Sequence, residues 1–320
     1  MNLQDINIER EKKIIFMGTP EFAVPVLEGL IENYNVRAIV SQPDRKKGKD
    51  GIVKTPIKEV GEKHGILVYQ PEDIKMIVNE ILELKPDLII TCAYGQVLPI
   101  QILKCPKLGC VNVHASLLPR LRGGAPIHRA IMNGYKKTGI TIMYMDVGLD
   151  TGDIISQEEV EITEEETAST LHDKLSKVGK DLLLKTLPSI LEETNERIKQ
   201  DESKASYGFN IARKDEKINF SKTKREIYNQ IRGLNSFPGA YCLLEGKILK
   251  VWESYATDNF FPHLFDGQIT AIYEDGFGVK VSNGEIVFTK VQLEGKQKMK
   301  ATDFIHGFHD QKALIGKILD

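Results

Sequence analysis

The order of elements in the first forty residues constrains the fold more than any other feature of this chain. Residues 13–17 form a short apolar run, Gly18-Thr19-Pro20 ends it, and an amphipathic segment over 21–33 leads to a second apolar run over 36–40. A strand, a turn, a helix and a strand in this order form a βαβ unit, whose two strands lie parallel in one sheet. The sequence therefore predicts a Rossmann-like α/β domain with a mostly parallel sheet.

The turn after the first strand does not carry the dinucleotide-binding fingerprint. Gly18 could start a G-x-G-x-x-G motif, but Pro20 and Ala23 stand where the later glycines belong. Those glycines are needed for the close approach of a pyrophosphate to the main chain. We therefore expect no nicotinamide cofactor.

Composition predicts a soluble, folded protein of two domains. The 320 residues are 41% hydrophobic and 28% charged, and the net charge of −2 offers a polyanion no global attraction. No apolar run approaches the roughly 20 residues that span a bilayer. The polar N-terminus resembles neither a signal peptide nor a transit sequence, and the four cysteines form no CxxC pair. We expect a cytoplasmic protein without a metal and without a membrane partner.

A polar stretch divides the chain. We expect an N-terminal catalytic domain over 1–194, a linker over 195–206 and a C-terminal domain over 207–320. The last of these contains five short strand-like runs separated by Gly or Asn-Gly turns, which is typical of a small antiparallel OB-like β-barrel.

The stretch Val111–Pro126, VNVHASLLPRLRGGAP, is the first candidate site. Asn112 and His114 would lie on one face of a strand that ends in a loop rich in glycine and proline. The apolar strand over 88–92 also runs into such a loop, over 93–99. Because open α/β sheets bind ligands at the carboxyl ends of their strands, we expect a crevice there.

A third loop supplies a carboxylate. Residues 146–153 carry three aspartates and two glycines, but without the spacing of a calcium loop. We expect Asp150 to turn inward and act with His114. Asn112, His114 and Asp150 include no ready nucleophile and are an improbable metal shell, but they suit oxyanion stabilisation and proton transfer. Direct acyl transfer needs both, although a lone histidine at a strand end is often only structural.

The loop over 41–56 carries five basic residues and little to bury. Most such charge runs are solvated surface. An arm that reaches for phosphates is the alternative, because Arg and Lys on a flexible main chain adapt to RNA.

The motifs N-x-H followed by SLLP, R-x-R-G-x-A-P-I and D-x-G-x-D-T-G-D resemble those of the folate-dependent formyltransferase family, from Lys13 onward. The resemblance implies that 10-formyltetrahydrofolate donates a formyl group to the amino group of methionine on initiator tRNA. It also implies a catalytic trio of Asn112, His114 and Asp150. Predicted folate-binding residues are Ser116, Leu117, Leu118, Pro119, Tyr94, Gly95, Gln96, Val97 and Leu98, and predicted tRNA-binding residues are Arg45, Lys46, Lys47 and Lys49. We expect a monomer that binds the acceptor stem.

Three other readings share these features. A formyltransferase for a small amine, such as a purine precursor or an amino sugar, would use the same trio but would not need residues 207–320 together with a basic loop. A formyltetrahydrofolate hydrolase would use the same site with water. A non-catalytic tRNA-binding module is disfavoured because all three catalytic positions hold competent residues.

Overall fold

The computed structural model describes residues 11–47 and 51–320. The chain divides into two compact units. The first contains the chain up to Pro126 with Lys137–Glu161 and His172–Phe209; the second contains Ile127–Lys136, Ile162–Leu171 and Asn210–Asp320.

Nine strands belong to the first unit. They are β1 (Lys13–Gly18), β2 (Asn35–Val40), β3 (Arg45–Lys47), β4 (Gly51–Val53), β5 (Leu67–Tyr69), β6 (Leu88–Cys92), β7 (Cys110–His114), β8 (Lys137–Tyr144) and β9 (Ile154–Glu161). Seven of them form one sheet in the order β5-β2-β1-β6-β7-β8-β9, while β3 and β4 form a separate two-stranded ribbon. The pairs from β5 to β7 are parallel, and β8 and β9 extend the sheet antiparallel.

The helices that begin before residue 205 belong to the first unit, apart from residues 127–132 and 168–171, which belong to the second. They are α1 (Val24–Asn33), α2 (Pro56–Lys63), α3 (Val78–Glu83), α4 (Ile100–Leu103), α5 (Pro126–Met132) and α6 (Ala168–Leu191), with 3-10 turns at Glu21–Ala23, Ile74–Ile77 and Glu202–Lys204. Local chemistry sets their starts: Thr55 caps α2 by accepting a hydrogen bond from the Lys58 N–H, and Pro56 takes the first helical position, where no N–H is needed.

The central strands are apolar because both faces of the sheet are covered. All five residues of β6 are buried, as are residues 14–17 of β1. From β1 the chain builds outward to β2 and β5, then returns to the other side of β1 to form β6 and β7. The strand order thus reverses between β1 and β6, and a parallel sheet opens a ligand crevice at such a point. Asn112 and His114 lie at the carboxyl end of β7, directly beside β6.

The second unit contains an antiparallel sheet. Its strands are β10 (Ala240–Leu244), β11 (Lys247–Thr257), β12 (Ile269–Ile272), β13 (Phe277–Val281), β14 (Gly284–Leu293) and β15 (Met299–Lys300), in the order β10-β11-β14-β13-β12 with β15 beside β14. Its helices are α7 (Arg213–Glu216), α8 (Lys224–Gly233) and α9 (Ala301–His306), with a 3-10 turn at Gln311–Leu314. Phe277 packs edge-on against Phe288 in its core. The predicted class, a Rossmann-like domain followed by an antiparallel β domain, is confirmed, while closure into an OB-like barrel stays a prediction.

Candidate active site

Asn112 is positioned through the neighbouring strand. Its Oδ1 atom accepts a hydrogen bond from the Thr91 hydroxyl over 2.7 Å, and Thr91 lies near the carboxyl end of β6. An amide whose oxygen is held in this way has a fixed orientation, with its Nδ2 group as a donor. Asn112 is half-buried, so this donor is part of the accessible strand end.

His114 makes a hydrogen bond with one ring nitrogen and faces a carboxylate with the other. Its Nε2 atom lies 3.1 Å from the main-chain oxygen of Leu121, and its Nδ1 atom lies 3.7 Å from Oδ2 of Asp150. A carbonyl oxygen only accepts, so Nε2 carries a proton in that hydrogen bond. The Nδ1 atom faces the carboxylate of Asp150. The imidazole is 6% exposed, which shields this pair from bulk water.

Asp150 reaches the histidine from a strained loop residue. Its φ angle of 52° lies in the left-handed region, which is costly for a residue with a Cβ atom. The Gly123 N–H donates to Oδ2 of Asp150 over 2.8 Å, so the oxygen that faces His114 is also fixed by the glycine loop. Gly123 itself has a φ angle of 112°, where a Cβ atom would be strained.

The structure thus brings the predicted trio together. Asn112 offers an N–H donor, and Nδ1 of His114 lies opposite a carboxylate. The separation of 3.7 Å between Nδ1 and Oδ2 is longer than a hydrogen bond and suits an ion pair when the ring is charged. This arrangement can stabilise negative charge on a substrate oxygen and can accept a proton.

The predicted folate segment after β7 is a tightly bonded turn. The Ser116 hydroxyl donates to the Arg120 carbonyl over 2.6 Å, and the Leu118 N–H donates to the Thr141 hydroxyl over 3.1 Å. Leu118 is buried against two residues of the neighbouring strands. Leu117 and Pro119 are half-buried and have surface that a ligand can contact.

The loop after β6 exposes Gly95 and Val97, while its larger side chains are engaged with the rest of the first unit. Tyr94 and Leu98 are buried in the core of the first unit, and burial raises the pKa of the Tyr94 hydroxyl to about 12. The Gln96 side chain is also engaged, because its Oε1 atom accepts a hydrogen bond from the Ile74 N–H over 2.7 Å. Gly95 and Val97 are exposed, and the Val97 side chain is 84% accessible.

The basic loop forms the two-stranded ribbon of β3 and β4. Arg45 and Lys46 are exposed on β3, whereas the Lys47 side chain and Lys49 lie outside the described part of the chain. Asp44 anchors the base of the ribbon: despite its burial, hydrogen bonds from Gln70 and Lys58 hold the pKa of its carboxyl below the ordinary value.

The described residues provide no metal site. Among them, no group of three His, Cys, Asp or Glu side chains is placed to hold an ion. All four cysteines are free, and burial raises the pKa of the Cys110 thiol to about 12, so this thiol is unsuited to act as a thiolate. Over the same residues, no helix is long and apolar enough to span a bilayer.

Sequence reasoning missed the residues that hold the trio. Thr91 could have been suspected from its place near the end of a buried strand. The Leu121 carbonyl and the Gly123 N–H are main-chain groups, which a side-chain pattern does not reveal. Gln200 donates to the main-chain oxygens of Asp150 and Gly152, yet it lies in the polar stretch predicted to be a linker.

Comparisons with known proteins show the family of this chain. The formyl transferase family model matches residues 12–187, and the model of the formyl transferase C-terminal domain matches residues 210–309. Methionyl-tRNA formyltransferases of Bacillus cytotoxicus and Bacillus cereus are 52% and 51% identical to this chain, and each alignment covers 92% of the chain and 95% of the relative. A solved N-formyltransferase from Helicobacter canadensis, in complex with folinic acid and dTDP-3-aminofucose, is 25% identical with a TM-score of 0.67, over 90% of this chain and 100% of that one. This chain belongs to the formyl transferase family.

Proposed function

We propose that this protein transfers the formyl group of 10-formyltetrahydrofolate to the free amino group of methionyl initiator tRNA. The observation that carries the proposal is the oriented trio of Asn112, His114 and Asp150 in a chain about half identical to enzymes named methionyl-tRNA formyltransferase. The identity extends over 92% of the chain, so it includes the second unit as well as the trio. The product is formylmethionyl-tRNA, which serves translation initiation.

The chemistry assigned to the trio follows from its geometry. The amine attacks the formyl carbon of the bound folate, which forms the new C–N bond and places negative charge on the formyl oxygen. The Nδ2 group of Asn112 donates to that oxygen, and the positive charge of a protonated His114, whose ring nitrogens face Leu121 and Asp150, stabilises it without a direct hydrogen bond. When the carbonyl re-forms, the bond between the formyl carbon and the folate nitrogen breaks, and tetrahydrofolate leaves with the proton that the amine gives up. Asp150 holds the histidine, and its carboxylate assists removal of the proton that the amine loses, through a water molecule. An α-amino group has a pKa near ~7.7–8, so the main tasks of the site are placement and charge stabilisation.

The accessible groups near the trio suit a flat heterocycle. Exposed main chain at Gly95 and Val97, together with the apolar surface of Leu117, would contact a pterin ring by edge and face. We propose that the segments 94–98 and 116–119 hold the folate, with the buried Tyr94, Leu98, Ser116 and Leu118 shaping the main chain. No nicotinamide and no metal is needed for this reaction.

We propose that the ribbon of β3 and β4 grips the acceptor stem of the RNA through Arg45, Lys46, Lys47 and Lys49. The exposure of Arg45 and Lys46 supports this role, because phosphate contacts need accessible cations. We also propose that residues 1–194 carry the transfer site, that residues 207–320 bind tRNA, and that the protein works as a monomer in the cytoplasm.

A competition assay tests the function. Purified protein is given 10-formyltetrahydrofolate with methionyl initiator tRNA and, as rivals, glycinamide ribonucleotide and a dTDP-linked amino sugar. Formyl incorporation into the tRNA alone is the expected result. Incorporation into a small amine, or release of free formate, would retain the chemistry and replace the proposed acceptor.

A further inference from the structure

The segment over 198–209, named here the strap, runs along the loop that follows the SLLP turn. The Leu121 N–H donates to the Ser206 hydroxyl over 3.0 Å, and the Arg122 N–H donates to the Ser206 carbonyl over 2.9 Å. The Gly208 N–H then donates to the Arg122 carbonyl over 2.7 Å. The strap therefore fixes the main chain on both sides of Arg122.

Arg122 is the largest fully buried side chain of the described residues, and the strap supplies its partners. Its guanidinium donates to Oε1 of Gln200 from Nε and Nη2, over 3.1 and 2.8 Å. It also donates to both carboxylate oxygens of Glu202, over 2.9 and 2.7 Å. The hydrogen bond with Glu202 raises the pKa of Arg122, so its charge is permanent. Glu202 itself is exposed, but a bidentate pair with a buried guanidinium has one defined geometry.

Gln200 also contacts the other catalytic loop. While its Oε1 atom accepts from Arg122, its Nε2 group donates to the main-chain oxygens of Asp150 and Gly152, over 2.8 Å each. One amide thus joins the loop that carries Asp150 to the loop that contains Arg122. The hydrogen bond to the Asp150 carbonyl also helps to retain the unfavourable φ angle of that residue.

Both contacts of His114 depend on these two loops. The carbonyl of Leu121, just before Arg122 in the chain, accepts the hydrogen bond from Nε2 of His114. The N–H of Gly123, just after Arg122, donates to the carboxylate of Asp150. Moving Arg122 relative to Asp150 would therefore change the position of the imidazole and of the carboxylate together. We propose that Gln200, acting with Arg122 and Glu202, is a positioning residue that sets the geometry of the His114–Asp150 pair. The inference rests on the proposed function.

Gln200→Glu is the sharpest single substitution. The new carboxylate still accepts from Arg122, so the buried guanidinium keeps a partner and the fold is retained. It cannot donate to the two carbonyl oxygens, and it places negative charge against them. We expect kcat to fall about 10- to 100-fold, as misplacement of reacting groups does, with the KM values for folate and tRNA within about twofold. A kcat within twofold of the wild type would overturn the proposal.

A double-mutant cycle separates positioning from general damage. If Gln200 acts through Asp150, Gln200→Glu should lower the rate of the Asp150→Asn protein by less than about twofold, because residues that act as a unit are not additive. Multiplicative losses would overturn the proposal. Gln200→Leu repeats the cycle with a neutral side chain. Glu196→Gln, at an exposed position in the same polar stretch, is the matched control and should keep wild-type kcat and melting temperature. Failure of the wild-type protein to formylate tRNA would instead contradict the proposed function.

Discussion

Two carboxylates of this protein, one in each unit, have opposite hydrogen-bonding environments. Glu285 in the second unit is fully buried, and its two oxygens accept hydrogen bonds from Thr257, Thr270, Tyr273 and the amide of Asn259. Asp150 in the first unit keeps 19% of its side chain exposed, and its Oδ2 atom accepts from one main-chain N–H while facing an imidazole.

The difference shows how a structural carboxylate can be told from a reactive one. Saturating a carboxylate with donors stabilises it and leaves no lone pair for chemistry. The network around Glu285 also acts on its neighbours: burial and the hydrogen bond to Glu285 raise the pKa of Tyr273 to about 12. Asp150 is fixed in direction without being saturated, which is what a group that handles protons needs.

The largest loss of activity is expected when Asp150 or His114, the proposed catalytic groups, is replaced. Asp150→Asn and His114→Ala should each lower kcat about 100-fold or more, as losses of acid–base or oxyanion groups do. Single-turnover rates with both substrates saturating measure this directly. Melting temperatures should stay within a few degrees, and near-full rates in either variant would refute the assigned roles.

The next largest effect is a loss of stability, expected when the buried carboxylate of Glu285 is removed. Glu285→Ala removes a fully buried acceptor from four donors, three of them half-buried and one exposed, and we expect the free energy of unfolding to fall by about 2 kcal/mol. Chemical denaturation measures it. Glu253→Ala is the matched control, because this carboxylate is exposed and pairs with Lys290 at the surface, over 2.8 Å. Equal losses in the two variants would erase the distinction between saturated and surface carboxylates.

A smaller effect sharpens the analysis of the active site. Thr91→Val keeps the shape of the side chain but removes the hydroxyl that orients Asn112, so kcat should fall about tenfold, or about 1.4 kcal/mol. Thr138→Val, at a buried threonine whose hydroxyl has no partner among the described residues, is the same change without the contact. That control should keep its activity, and an equal loss in both would remove Thr91 from the site.

The smallest effect concerns a third kind of carboxylate. Glu164 is half-exposed, and hydrogen bonds from Arg225 and Lys136 lower its pKa from 4.5 to about 2. A lowered folded-state pKa stabilises the protein above the unfolded value, and the gain is lost as pH falls from about 4.5 to about 2. Because solvent screens the pair, we expect only about 0.5 kcal/mol. Glu164→Gln should therefore be less stable than the wild type at pH 7 and equally stable near pH 2; a constant difference would contradict this.

Much of the first unit could be predicted because its strands are continuous apolar runs. The apolar runs at β1, β2 and β6 form strands, and so does the alternating stretch at β7. The apolar spacing of Ile74, Ile77, Ile81 and Leu84 predicts one helix over 72–85, but the structure has a 3-10 turn at Ile74–Ile77 followed by α3. The side chain of Asp73 accepts a hydrogen bond from the Lys75 N–H and so caps the 3-10 turn. Such a bond from a side chain to the main chain competes with helical hydrogen bonding, and the spacing of apolar residues does not reveal it.

The structure places His114 opposite Asp150, as expected from the sequence, but the groups that support these side chains were not predicted. The catalytic roles of Asn112, His114 and Asp150 stay predictions, made from their chemistry and from specific motifs. The ribbon of β3 and β4 was expected as an irregular loop, since its paired residues show no apolar alternation. Gln200 has no local signal, because its role depends on two loops about 50 and 78 positions earlier in the chain, a separation that folding alone closes.

The strap also determines which truncated forms of this protein retain the contacts around Arg122. A fragment that ends at residue 194 contains the three proposed catalytic residues but lacks Gln200, Glu202 and Ser206. One that ends at residue 206 still loses the hydrogen bonds of Gly208 with Arg122 and Ala125. Either fragment would be a weak enzyme for a reason unrelated to RNA. A fragment that ends after Phe209 retains the whole strap. Comparing its rate with that of the full chain therefore measures what residues 210–320 contribute.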